Sequence, residues 1–165
     1  MFGRGLLLLL ILSLAGCGFQ LRGSVPILPP IMERTYVQSA SNTALYRELQ
    51  GAIRTAGGTL VEHPSAASAV LILHGERFSR RNLGTDARGR TNAYEHRLQV
   101  LYSLQDGEGQ TLVSRERVDL FREQRFDPEQ VLSMEDEQDI LRQEMRNQAI
   151  NQMLRRLQAL GRQAP

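Results

Sequence analysis

At 165 residues, with 41% hydrophobic and 23% charged side chains, the chain is sized and composed for one folded domain and not for wholesale disorder. Its 20 basic residues nearly balance 18 acidic ones, which argues against a nucleic-acid binder, and 5% aromatics with no tryptophan supply no stacking platform for bases or sugars. A single cysteine, Cys17, excludes an internal disulfide.

Every basic residue is arginine. A GC-rich genome is the bland reading of the bias, and its chemical consequence holds either way. Any anion this protein grips, it grips with a planar guanidinium that can offer two parallel hydrogen bonds.

Residues 1–16 read as a lipoprotein signal peptide. Arg4 supplies a short basic start, and Leu6 to Leu12 form an apolar run too short for the ~20 residues of a bilayer-spanning helix. Leu14-Ala15-Gly16-Cys17 has the form of a lipobox, so Cys17 is expected to become the lipidated first residue of the mature chain. More than one acyl chain gives a stable hold on a membrane, where one alone is marginal. Gly18 is not the aspartate that retains enteric lipoproteins at the inner membrane, which favours outer-membrane sorting. Residues 17–33 are expected to form a lipidated start and a proline-rich linker. Pro26, Pro29 and Pro30 favour an extended spacer, or Ile27, Leu28 and Ile31 lie against a partner. Residues 34–165 then form a single domain.

Within that domain, residues 35–38 suit a strand, and a polar cluster over 39–43 is fit to cap a helix. Leu45, Leu49, Ala52, Ile53 and Ala56 fall on one face of that helix, which Gly57-Gly58 ends. Residues 69–73 are continuously apolar, as in a buried strand. From Arg77 to Arg97 arginines dominate, and Gly84 and Gly89 predict an irregular loop in the middle. Leu98, Val100, Tyr102 and Leu104 then alternate with Gln99 and Ser103, and Asp106-Gly107-Glu108-Gly109 supplies a hairpin turn. On the return strand Leu112, Val118 and Leu120 share one parity, with Arg115, Arg117 and Asp119 on the other. Asp127-Pro128-Glu129-Gln130 is a helix start, and Leu141, Met145, Ala149, Met153, Leu157 and Leu160 continue the helix as an apolar stripe. The order β-α-β-β-β-α predicts an α+β fold, with two helices packed on a mostly antiparallel sheet of about four strands.

No catalytic constellation emerges. His63, His74 and His96 lack metal-ligand spacing, and His96 reads as a surface or sheet residue. Asp106 and Glu108 belong to a turn and not to a calcium loop, and neither a P-loop nor a G-x-S-x-G elbow is present. The sequence therefore predicts a non-enzyme with no metal and no cofactor beyond the lipid on Cys17. Its one candidate site is an anion grip in the arginine-rich segment, at Arg80, Arg81, Arg88 and Arg90.

The run Cys17-Gly18-Phe19-Gln20-Leu21-Arg22, the helix with Leu45-Tyr46 and Leu49, the hairpin entered at Glu95, and Glu137-Gln138-Asp139-Ile140 before Met145 together resemble the LptE family of LPS-assembly lipoproteins, also called rare lipoprotein B. The resemblance implies the same α+β fold and a lipoprotein of the outer membrane's inner leaflet. It also implies service as plug and assembly partner of the LPS-exporting β-barrel LptD, with lipopolysaccharide bound through basic residues of the hairpin. Arg88 and Arg90 match that position. A second basic contact near the start of the last helix is not carried over, because Met134 stands there among acidic neighbours. A lipid or anion carrier, or a scaffold lipoprotein working without a barrel, is the rival expectation.

Overall fold

A computed structural model describes residues 28–125 and 134–161, the side chains of 134–136 excepted. The expected lipobox, Cys17 and the helix start at Asp127 lie outside the described residues.

Five strands form one mixed sheet: β1 (Arg34–Ser39), β2 (Thr59–Leu60), β3 (Ala69–Thr85), β4 (Thr91–Asp106) and β5 (Thr111–Arg125), in the order β2-β1-β3-β4-β5. β1 is parallel to both its neighbours, whereas β3, β4 and β5 form an antiparallel meander. Helices α1 (Ala44–Thr55) and α2 (Met134–Gly161) complete an α+β fold. The fifth strand is the two-residue β2, too short to show any alternation in the sequence.

α1 starts where Thr43 Oγ1 accepts the Tyr46 N–H at 3.2 Å. It ends in a Schellman motif, with Gly57 at φ +89° and the Gly58 N–H donating to Ile53 O at 2.9 Å. Leu45, Leu49 and Ile53 are buried, and α2 adds Met145, Ala149, Ile150, Met153, Leu154 and Leu157. Both helices thus cover the sheet face that carries Val37, Leu71, Leu98, Val100, Tyr102 and Val118.

The expected linker is partly domain. Pro30–Met32 form a 3-10 turn, Met32 is fully buried, and Leu28 and Ile31 pack against the core. Apolar residues at 28, 31 and 32 make burial more favourable than an extended spacer.

The expected irregular loop is also corrected. β3 stays paired with β4 as far as Thr85, with register shifts on either side of Gly84, and only residues 86–90 turn. Asp86 Oδ1 accepts the N–H groups of Arg88 and Arg90, both at 2.9 Å, with Gly89 at φ +76°. The turn at 106–110 repeats this design: Asp106 Oδ1 accepts from Glu108 and Gln110, and Gly109 has φ +83°. An aspartate that satisfies two loop amides, followed by a glycine in the left-handed region, closes each hairpin.

Two bulges interrupt the meander at one level. β3 carries an extra residue at His74, and β5 carries another around Ser114 and Arg115, where Arg115 has φ +37°. Ser103 on the intervening β4 joins them. Its Oγ lies 2.7 Å from His74 Nε2 and accepts the Arg115 N–H at 3.0 Å. Ser103 itself is buried. The β5 bulge also reverses parity, so Val113 is buried and Leu112 is 45% exposed, contrary to the simple alternation expected for 112, 118 and 120.

Candidate functional site

Beyond the bulges, β3, β4 and β5 run together as a ribbon with two unlike faces. Alternation places Phe78, His96, Leu98 and Leu120 toward α2, and Arg77, Arg81, Glu95, Arg97, Gln99, Leu101, Arg117, Asp119 and Phe121 on the opposite face. No other element covers that second face among the described residues.

The four arginines expected as one site do not converge. Arg80 and Arg81 are consecutive on a strand and so point to opposite faces. Arg80 lies on the helix side, its guanidinium 4.3 Å from the Tyr94 ring centre and Nη1 donating to Gln138 of α2 at 2.9 Å. Arg81 lies on the open face in a two-point pair with Glu95, at 2.6 and 3.1 Å. Arg88 and Arg90 occupy the hairpin turn, and Arg90 Nε donates to Asp86 Oδ2 at 2.9 Å.

The open face instead brings together residues that the segment-by-segment reading of the sequence did not single out as a site. Arg97 forms a two-point pair with Asp119, with Nε–Oδ1 at 2.8 Å, and stacks its guanidinium 4.9 Å from the exposed Phe121 ring. Gln99 adds a third hydrogen bond to Asp119 at 3.2 Å. These donors, Arg97 foremost, hold the Asp119 carboxyl below its ordinary range, and Arg81 does the same to Glu95. Arg77 and Arg117 have no ion-pair partner among the described residues. Counted along the three strands, Arg77, Arg81, Arg97, Arg117 and Arg125 face Glu95, Asp119 and Glu123, an excess of two positive charges.

Two shallow hollows lie on this side. One of about 330 Å³ is bordered by Arg77, Gln99, Leu101 and Arg117, and one of about 320 Å³ by Ser79, Arg81, Arg97 and Phe121. Forked donors beside small apolar surfaces suit an amphiphilic anion better than a free inorganic ion. The signal was present in the sequence as spacing, since Arg77 and Arg81 share one parity on β3, and register then sets Arg97 and Arg117 beside them. Among the described residues no cluster of acidic, histidine or cysteine side chains could hold a metal, and no helix is long and apolar enough to cross a membrane.

Comparison with known proteins agrees with this architecture. The family model LptE, described as lipopolysaccharide-assembly, matches residues 32–157. The chain is 31% identical over 159 residues to the LPS-assembly lipoprotein LptE of Yersinia enterocolitica, covering 92% of this chain and 73% of that protein. It is 29% identical over 152 residues to the LPS-assembly lipoprotein LptE of Photorhabdus laumondii, covering 92% and 82%. The solution NMR structure of a lipoprotein B from Nitrosomonas europaea superimposes with a TM-score of 0.74 at 26% identity, over 88% of this chain and 94% of that one. The crystal structure of rare lipoprotein B from Shewanella oneidensis shares the fold, with a TM-score of 0.67 at 22% identity over 76% and 94%. With the matched region running from the buried Met32 to the buried Leu157, and so spanning the whole core, the chain belongs to the LptE family of lipopolysaccharide-assembly proteins.

Proposed function

We propose that this protein is an outer-membrane lipoprotein, anchored through lipid on Cys17 in the inner leaflet, and that it serves as plug and assembly partner of an LptD-like β-barrel in delivering lipopolysaccharide to the cell surface. The observation that carries this reading is the uncovered, arginine-rich face of β3–β5 in a chain of the LptE family. A barrel lumen is polar and wet, and a sheet face made mostly of arginines and carboxylates can lie against such a wall, with Leu101 and Phe121 as its small apolar contacts. Lipid A phosphates are anions of the class that forked guanidinium donors recognise. Arg77 and Arg117 would begin an anion path that continues past Arg81 to Arg88 and Arg90 at the hairpin tip, while Arg80 stays with α2.

The lipid tether restricts the search for a barrel to one leaflet, and the folded domain then supplies the filling and the contact surface. Affinity isolation of the full-length protein from detergent-solubilised membranes tests this. One large β-barrel protein is expected in about equal amount. Recovery without such a barrel would reject the plug role in favour of a periplasm-facing carrier or scaffold.

A further inference from the structure

At the end of the sheet remote from the hairpin tip lies an apolar groove of about 480 Å³, lined chiefly by Pro29, Ile31, Leu104, Leu112, Leu157 and Leu160. Leu112 and Leu160 are 45% and 40% exposed there, although both border the buried core. One end of the groove is closed by a tight seam. The last residue of α2, Gly161, sits so close to Pro29 that a Cβ on it would lie 2.4 Å from the proline Cβ. The described chain enters beside this groove, since Leu28 immediately precedes Pro29.

The residues upstream carry a pattern suited to it. Phe19, Leu21, Val25 and Ile27 recur at every second position, Gly23 takes the remaining odd place, and Gln20, Arg22 and Ser24 alternate with them. Period-two alternation is the signature of an extended segment with one apolar face. Nine residues reach up to about 30 Å when extended, ample to turn back along a groove that begins at Pro29. We infer that the segment from Phe19 to Ile27 docks in this groove, with Leu21 and Val25 against Leu112 and Leu160.

Docking changes what the N-terminus does. A free spacer would let Cys17 stand up to about 36 Å from Leu28. A docked one holds the lipid attachment point at the base of the sheet, about 40 Å along β4 from the hairpin turn. The domain then meets the membrane in a set orientation, with its arginine-bearing hairpin directed away from the anchor. That consequence rests on lipidation of Cys17, whereas the docking itself does not.

The test uses the full-length protein in its own membranes with Leu112→Cys, and reads maleimide labelling at position 112 by peptide mass. Labelling is expected to be about tenfold slower with the native N-terminal segment than when Leu21→Ser and Val25→Ser are added, because those changes remove apolar surface that holds the segment down. Equal rates in the two backgrounds would overturn the inference. Protection that persists after the serine changes would also overturn it, by assigning the groove to a lipid chain or a partner protein. Labelling at Cys17 itself would reject lipidation while leaving the result at position 112 intact.

Discussion

His96 shows how one side chain couples the ribbon to acid. It is buried against the Phe78 ring, 5.6 Å between centres, with Tyr94 edge-on and Nε2 2.9 Å from Gln124 Oε1. Its Nδ1 has no hydrogen-bond partner among the described residues. Burial pushes the imidazole below its ordinary pKa of 6.5; the Gln124 hydrogen bond partly opposes it, and the nearby Arg80 charge adds a smaller lowering. A depressed histidine pKa means the unfolded chain binds the proton more readily, so stability is full above about pH 6.5 and falls as pH drops through the depressed native value. Asp86, Glu95 and Asp119 are also depressed, but theirs is stability lost only near and below the ordinary carboxylate range. Urea midpoints should therefore fall between about pH 7.5 and about pH 5.5 in the parent protein and stay level in His96→Phe. An unchanged slope in the variant would assign the acid sensitivity elsewhere. The sequence held the clue to this burial: His96 shares its parity with Leu98 and Val100. A polar side chain on a core parity reads as ambiguous until the covering helix is seen.

Elements are tied together by ion pairs as well as by apolar contact. Arg146 of α2, its side chain 13% exposed, reaches Glu48 of α1 at 3.1 Å and Glu76 of β3 at 3.8 Å, and Arg142 also meets Glu76 at 3.3 Å. One arginine thus joins both helices to the sheet. Removing it strands the part-buried Glu48 carboxylate and leaves the buried Glu76 to Arg142 alone, so Arg146→Ala should lower unfolding free energy by about 3 kcal/mol in urea titration. A loss below about 1 kcal/mol would mean that water replaces the guanidinium freely. Such pairs are invisible in sequence, because Glu48, Glu76 and Arg146 meet across separations no local pattern encodes. Helix faces and the turn at Asp106 were legible because they depend on neighbours three or four residues apart. The same turn chemistry at Asp86 was obscured by its arginine-rich surroundings. The paired bulges on Ser103 escaped notice because a bulge breaks the parity by which strands are read.

At the scale of the molecule, the chain divides its labour along the sheet. The base holds the core, the groove and the point where the N-terminus arrives. The outer ribbon offers one face to α2 and leaves the other uncovered, with Arg97 and Arg81 held by carboxylates and Arg77 and Arg117 outside any ion pair among the described residues. Family and fold class could be read from sequence because they rest on order and periodicity. The open arginine-bearing face could not, because it is assembled by register between three strands. The most direct measurement of its role is binding of purified lipopolysaccharide by the full-length protein and by its Arg77→Glu, Arg117→Glu double variant, across a salt series. Reversing two exposed charges should weaken binding at low salt by roughly fivefold or more, with the difference shrinking as salt screens the phosphates. Equal binding by the two proteins at every salt concentration would contradict the assignment of the open sheet face as the surface that meets lipopolysaccharide.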